Sequence, residues 1–119
     1  KSILVVEDNK VNQMLVTNML RKKGVFVTAA NDGIEGLEAL NKGLFDLLLM
    51  DIQMPVMNGL KATQYIKKRW PQIKVIALTL YPNYCLQAKQ AGADAFLIKG
   101  CSVEEMTSTI RSVNGIAQK

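Results

Sequence analysis

Five polar side chains each stand at the end of a short, largely apolar run: Glu7 and Asp8 after SILVV, Asp51 after LLLM, Thr79 after IKVIAL and Lys99 after AFLI. Three carboxylates brought within a few ångströms of one another repel, and unless one is protonated they need a cation. With oxygen donors and neither histidine nor cysteine among them, a hard ion such as Mg²⁺ suits the set, keeping several waters and taking one or two carboxylates. A carboxylate held beside such an ion is also a nucleophile toward a phosphoryl group, and the product is an aspartyl phosphate. Lys99 as ammonium and Thr79 as hydroxyl would meet the charge that develops on the transferred oxygens. This chemistry requires that residues 7, 8, 51, 79 and 99 converge in space.

The elements that would bring them together alternate five times. Ser2 to Val6 reads as a buried strand, followed by a helix from Val11 to about Lys23, whose stripe is Val11, Met14, Leu15, Asn18 and Met19 and which Gly24 ends. Val25 to Ala30 is rich in β-branched residues and reads as a strand; Ile34, Leu37 and Leu40 mark a short helix that stops near Gly43. Leu47 to Met50 is bounded by acids and too short for an ordinary helix, so it reads as a strand buried on both faces, with Asp51 at its carboxyl end. A turn through Gln53, Pro55, Asn58 and Gly59 leads to a helix marked by Leu60, Thr63 and Ile66, closed by Trp70-Pro71. Ile73 to Leu78 is the fourth strand. A helix over about Asn83 to Ala91 has poor apolar spacing, and Gly92 closes it. Ala95 to Ile98 is the fifth strand, and Ser102 with Glu105 forms a capping box for a last helix with Val103, Met106, Ile110, Val113 and Ala117 inward. Five such units joined by right-handed crossovers predict an α/β fold, a parallel sheet with helices on both faces. All five polar residues then fall on the carboxyl edge of that sheet, where open α/β folds place their ligands.

Composition narrows the classes. A chain of 119 residues predicts a single domain, 1–119, able to bury one core without staples. No apolar run approaches a membrane span and no leader segment is visible, so the expectation is a cytoplasmic protein with no membrane partner. Cys85 and Cys101 are too few for a disulfide framework and too far apart for CxxC, and are expected reduced. The absence of histidine removes Ser-His-Asp triads and most zinc sites. The net charge of +5 comes from bases scattered over several helices, without the aromatic interleaving of a nucleic-acid surface. An acidic protein partner suits this surface better than direct nucleic-acid binding.

Four motifs, in order, resemble the receiver domain of two-component response regulators: VVEDN at Val5–Asn9, LLLMDIQMPVMNG at Leu47–Gly59, ALT at Ala77–Thr79 and GADAFLIKG at Gly92–Gly100. The resemblance implies a CheY-like, flavodoxin-type (βα)5 fold with strand order 2-1-3-4-5. It implies that Asp51 takes a phosphoryl group from a phosphohistidine on a histidine kinase or phosphotransfer protein. Asp8 and Asp51 would bind Mg²⁺ directly, Glu7 mainly through water, and the main-chain carbonyl of Gln53 would complete the protein ligands. Thr79 and Phe96 would be the switch pair, Lys99 would pair with the phosphoryl group, and the surface of helix 4, strand 5 and helix 5 would change for partners or an output domain to read. Such a receiver is an enzyme only in the weak sense that it promotes its own phosphorylation and slow dephosphorylation, as a monomer or a weak phosphorylation-dependent dimer.

Some positions depart from the family's commonest pattern. Leu80 stands where a small residue is usual; with Tyr81 and Gln53 it falls where the family tunes access of water, which implies slow dephosphorylation, while the same bulk also fits slow phosphorylation. Gly100 replaces a frequent proline, and a cis bond before it would cost about 2.5–4 kcal/mol. The stretches VNQMLVTNML and DIQMPVMNG resemble receivers of hybrid kinases, whereas Trp70 to Met106 resembles receivers that precede helix-turn-helix output domains; a natural intermediate and a chimera both fit. Simpler readings stand beside these: Glu7 and Asp8 as helix caps, Asp51 as a strand end, Thr79 and Lys99 as surface residues, Phe96 as core. A P-loop NTPase lacks its GxxxxGK[ST] loop here, and a haloacid-dehalogenase-like phosphatase lacks the second aspartate of DxD, replaced by Gln53. The remaining rival is a receiver-fold scaffold, engineered or chimeric, or a pseudo-receiver interaction module that no longer switches.

Overall fold

The computed structural model describes residues 2–43, 45–52 and 59–114. Five strands, β1 (Ser2–Val6), β2 (Phe26–Ala30), β3 (Leu47–Asp51), β4 (Lys74–Thr79) and β5 (Ala95–Ile98), form one parallel sheet in the order β2-β1-β3-β4-β5. Between and after them run α1 (Lys10–Arg21), α2 (Gly33–Lys42), α3 (Gly59–Arg69), α4 (Cys85–Gln90) and α5 (Val103–Asn114). The poor apolar spacing before Ala91 has a structural counterpart: a 3-10 turn at Pro82–Tyr84 precedes a six-residue α4.

The alternation of each strand divides the core in two. Ile3, Val5, Leu47, Leu49, Ile76, Leu78 and Leu97 face α1 and α5 and meet Leu20, Met106 and Ile110. Leu4, Val6, Leu48, Met50 and Val75 face the other way, onto Leu40 of α2 and Ala62 and Ile66 of α3. All of β3 is buried, which is why its sequence is a continuous apolar run rather than an alternating one. Gly36 lets α2 lie close on β1, since a Cβ there would stand 2.8 Å from Val6 Cγ2.

The helix ends follow from local chemistry. Asn9, Asp32 and Ser102 accept hydrogen bonds from the amides of Asn12, Glu35 and Glu105, at 3.0, 2.9 and 3.0 Å. Capping of α1 therefore falls to Asn9 and not to Glu7 or Asp8. After α1 the amides of Gly24 and Val25 reach back to the carbonyls of Arg21 and Leu20, a Schellman arrangement that the φ of +80° at Gly24 permits.

One expectation is inverted. The stripe Val11, Met14, Leu15 faces solvent, at 58 to 66% exposure, and α1 packs instead through Thr17 and Leu20, flanked by Val16 and Met19. Two polar residues make this possible, because their hydrogen bonds are met within the protein. The Thr17 hydroxyl donates to the Met14 carbonyl at 3.1 Å, and the Gln13 amide finds acceptors beyond the helix. Ile34 is likewise exposed on α2, whose inner face is Gly33, Gly36 and Leu40.

Candidate functional site

Strand order turns between β1 and β3, and their carboxyl ends open a crevice of the kind in which open parallel sheets hold ligands. Asp51 is the last residue of β3, wholly buried, with its neighbour Ile52 tied by its amide to the Leu78 carbonyl. Glu7 is also wholly buried, its amide fixed to the Ala30 carbonyl at 3.1 Å. Asp8 beside it is exposed. Each of the three offers a carboxylate oxygen, and these oxygens lie within 4.8 Å of one another.

Lys99 reaches this cluster from the end of β5, across the ends of β4 and β3. Its amide donates to the Thr79 carbonyl at 2.8 Å, and its Nζ lies 3.1 Å from Asp51 Oδ2 and 3.2 Å from Glu7 Oε1. The two carboxylate atoms are at ion-pair distance but out of line for a hydrogen bond; Glu7 Oε2, at 3.3 Å, is the aligned acceptor. One ammonium thus contacts two carboxylates, Asp51 and Glu7, of a cluster of three. The Glu7 carboxyl is pushed up to about 7, first by burial, then by the negative charge of Asp51 and hydrogen bonding to it, against the weaker pull of the Asn9 amide and Lys99. Burial alone would lower the Lys99 ammonium, but the nearby carboxylates of Asp51 and Glu7 outweigh it and leave the pKa raised. Burial first, and the charge of Asp51 second, keep the Glu7 carboxyl from ionising, while the two neighbouring carboxylates hold Lys99 charged. The donor set, three hard oxygens around a surplus of charge, fits a hard divalent cation.

The remaining expected residues lie around this core. Thr79 is buried, and its hydroxyl accepts from the Tyr81 amide at 3.0 Å and donates to the Tyr81 carbonyl at 3.3 Å. Leu80 and Tyr81 are 54% and 52% exposed on the loop that follows. Phe96 is 37% exposed, which removes the reading of it as plain core, and the Lys89 ammonium lies 5.9 Å from its ring centroid. The loop after Lys99 turns at Gly100, with φ +91° and no cis peptide bond among the described residues. Gln53 lies outside the described residues.

Sequence reasoning missed one residue that shapes the site. The side-chain amide of Gln13 donates to the carbonyls of Glu7 and Ala30 at 3.0 and 3.1 Å, and lies 3.2 Å from Asn31 Oδ1. It therefore ties α1 to the main chain at the ends of both β1 and β2 and fixes where Glu7 stands. A long polar side chain among the apolar positions of α1 was the available signal.

A family model described as the response regulator receiver domain matches residues 3–111. Histidine kinase 5 of Arabidopsis thaliana is 48% identical over 65 residues, a match that takes in 55% of this chain and only 7% of the kinase. The polar-differentiation response regulator DivK of Brucella ovis is 33% identical over 121 aligned residues, covering 98% of each protein. Among solved structures, the receiver domain of the sensor histidine kinase PA1611 from Pseudomonas aeruginosa, which has a magnesium ion coordinated in its active site cleft, has a TM-score of 0.88. It is 33% identical and the match covers 97% of this chain and 98% of that one.

Proposed function

The chain belongs to the family of response regulator receiver domains, and from that premise we propose that Asp51 accepts a phosphoryl group and that the chain switches a binding surface in response. The observation that carries the proposal is the Lys99 ammonium 3.1 Å from a buried Asp51 carboxylate, in a cluster with Glu7 and Asp8. Asp8, Asp51 and the Gln53 carbonyl would hold Mg²⁺ with Glu7 beside them, and the ion when bound would offset charge on the carboxylates and on the phosphoryl oxygens.

The Asp51 oxygen attacks the phosphorus, the bond from phosphorus to the donor's imidazole nitrogen breaks, and the imidazole leaves with that electron pair. Lys99 stands ready as a fixed cation for the transferred oxygens, so little reorganisation is needed as charge shifts. Thr79 would exchange its bond to the Tyr81 main chain for one to the phosphoryl group. Phe96, half out on β5, would follow it inward and alter the face of α4, β5 and α5. The donor is a histidine kinase or a histidine phosphotransfer protein, and the reader an output domain or a separate target. Leu80 and Tyr81, standing over the loop after Thr79, would limit the approach of water and prolong the phosphorylated state.

Borohydride reduction of the chain after treatment with acetyl phosphate and Mg²⁺, followed by peptide mapping, tests the assignment. Homoserine at position 51 is the expected product. Reduction at Asp8, or at neither residue in a folded chain, would contradict it and favour a receiver fold that no longer switches.

A further inference from the structure

The net charge of +5 is not spread evenly. Residues 59–93 hold six basic residues and no acidic one, while the rest of the chain holds nine basic and ten acidic residues. The whole positive surplus therefore belongs to α3, β4 and α4. On α3, Lys61, Gln64, Tyr65 and Lys68 follow i, i+3, i+4, i+7 spacing and all four are exposed, so they form one stripe along one face. That stripe walls a groove of about 690 Å³ whose other side is Gln90 and Ala91 at the end of α4.

The cations of the region are not equivalent. Lys67 is committed, 3.0 Å from Asp94 and donating to the Ile73 carbonyl at 3.0 Å. Arg69 stacks on Trp70, 4.9 Å from its ring centroid, and Lys89 turns toward Phe96. Lys61 and Lys68 have no carboxylate within 4 Å among the described residues. Two ammonium groups seven residues apart on a helix are about 10 Å apart along its axis, with a tyrosine ring and an amide between them.

We propose that this groove between α3 and the end of α4 docks an acidic helical segment of another protein. Carboxylates seven residues apart on one face of a facing helix match the two lysines in sign and in spacing, and Gln64, Tyr65 and Gln90 supply contacts between them. Nucleic acid is the poorer match. Tight binding along a phosphate backbone draws on about six to ten cation contacts, whereas the groove offers two uncommitted ammonium groups and one aromatic ring.

The test is fluorescence anisotropy of a labelled alanine-based helical peptide with glutamates at i, i+3 and i+7, against the same peptide with glutamines. The full chain is measured beside Lys61→Glu/Lys68→Glu and, as a control of equal charge change at the end of α1, Lys22→Glu/Lys23→Glu. Circular dichroism and phosphorylation by acetyl phosphate report that each variant is folded. The expected result is saturable binding of the glutamate peptide that weakens with salt, falls at least tenfold in Lys61→Glu/Lys68→Glu and changes less than threefold in the control. Equal losses in both variants, equal binding of the glutamine peptide, or no binding at all would overturn the proposal. So would tighter binding of a single-stranded oligonucleotide, or self-association of the chain that Lys61→Glu/Lys68→Glu disperses while the peptide stays unbound.

Discussion

Lys67 with Asp94 and Lys99 with Asp51 stand at opposite edges of the same sheet, and their surroundings differ in kind. At the amino edge, Asp94 Oδ2 accepts from both Lys67 and the Val75 amide, and Lys67 donates also to the Ile73 carbonyl. One cation meets one anion, both side chains keep 20 to 26% exposure, and the main chain takes up their remaining capacity. At the carboxyl edge one cation contacts two wholly buried carboxylates of a cluster of three, and Glu7 resists ionisation, first through its burial and then through the charge of Asp51. The first pair closes the connection between α3, β4 and β5 and is balanced in charge. The second is unbalanced in charge, and the imbalance is what a divalent cation would offset.

Removing each lysine's contribution separates the two. Lys99→Ala leaves buried carboxylates without their cation and should cost about 3–5 kcal/mol of unfolding free energy in EDTA at pH 7.5, with Mg²⁺ restoring a large part. Asp94→Ala should cost less, about 1–3 kcal/mol, and Mg²⁺ should restore none of it. Urea unfolding of both variants with and without Mg²⁺ measures this. Equal response of the two variants to Mg²⁺ would erase the distinction between the edges.

The pH dependence is next in size. Glu7 holds a proton in the folded chain up to about 7 that the unfolded chain releases near 4.5. Between those values the folded state binds more protons, so stability falls as pH rises, by about 1–3 kcal/mol over the window. Lys99 is raised above its ordinary value, so its contribution is constant over this range. Unfolding in EDTA from pH 5 to 7.5 should show the decline, and Glu7→Gln should flatten it; a rise with pH would contradict the electrostatic account.

How much of this was legible in the sequence depended on apolar patterning and on where polar side chains find their hydrogen bonds. The short apolar runs and their bounding glycines and prolines located five strands, and strand ends alone brought Glu7, Asp8, Asp51, Thr79 and Lys99 to one edge. The face of α1 was misread because Gln13 and Thr17 are polar yet face inward, their hydrogen bonds met by the Glu7, Ala30 and Met14 carbonyls. The Lys67–Asp94 pair joins residues 27 apart in sequence with no motif, so only the fold reveals it. The segregation of charge was hidden by attending to the bases, which are dispersed, and not to the acids, which are absent from α3, β4 and α4.

The smallest expected effect lies at the rim. Leu80 is 54% exposed, so Leu80→Ala should change stability by less than about 0.5 kcal/mol. It should nonetheless shorten the life of the phosphorylated state, read as the decay of phosphoprotein by mass after acetyl phosphate is removed. An unchanged decay would mean that the bulk at this position does not govern water.

Intact mass after incubation with acetyl phosphate, with Mg²⁺ or EDTA, for the native chain and Asp51→Asn, tests the central assignment most directly. One phosphoryl group added only to the native chain and only with Mg²⁺ is the predicted result. Addition that persists in Asp51→Asn or in EDTA, or none to a native chain shown to be folded, would contradict it.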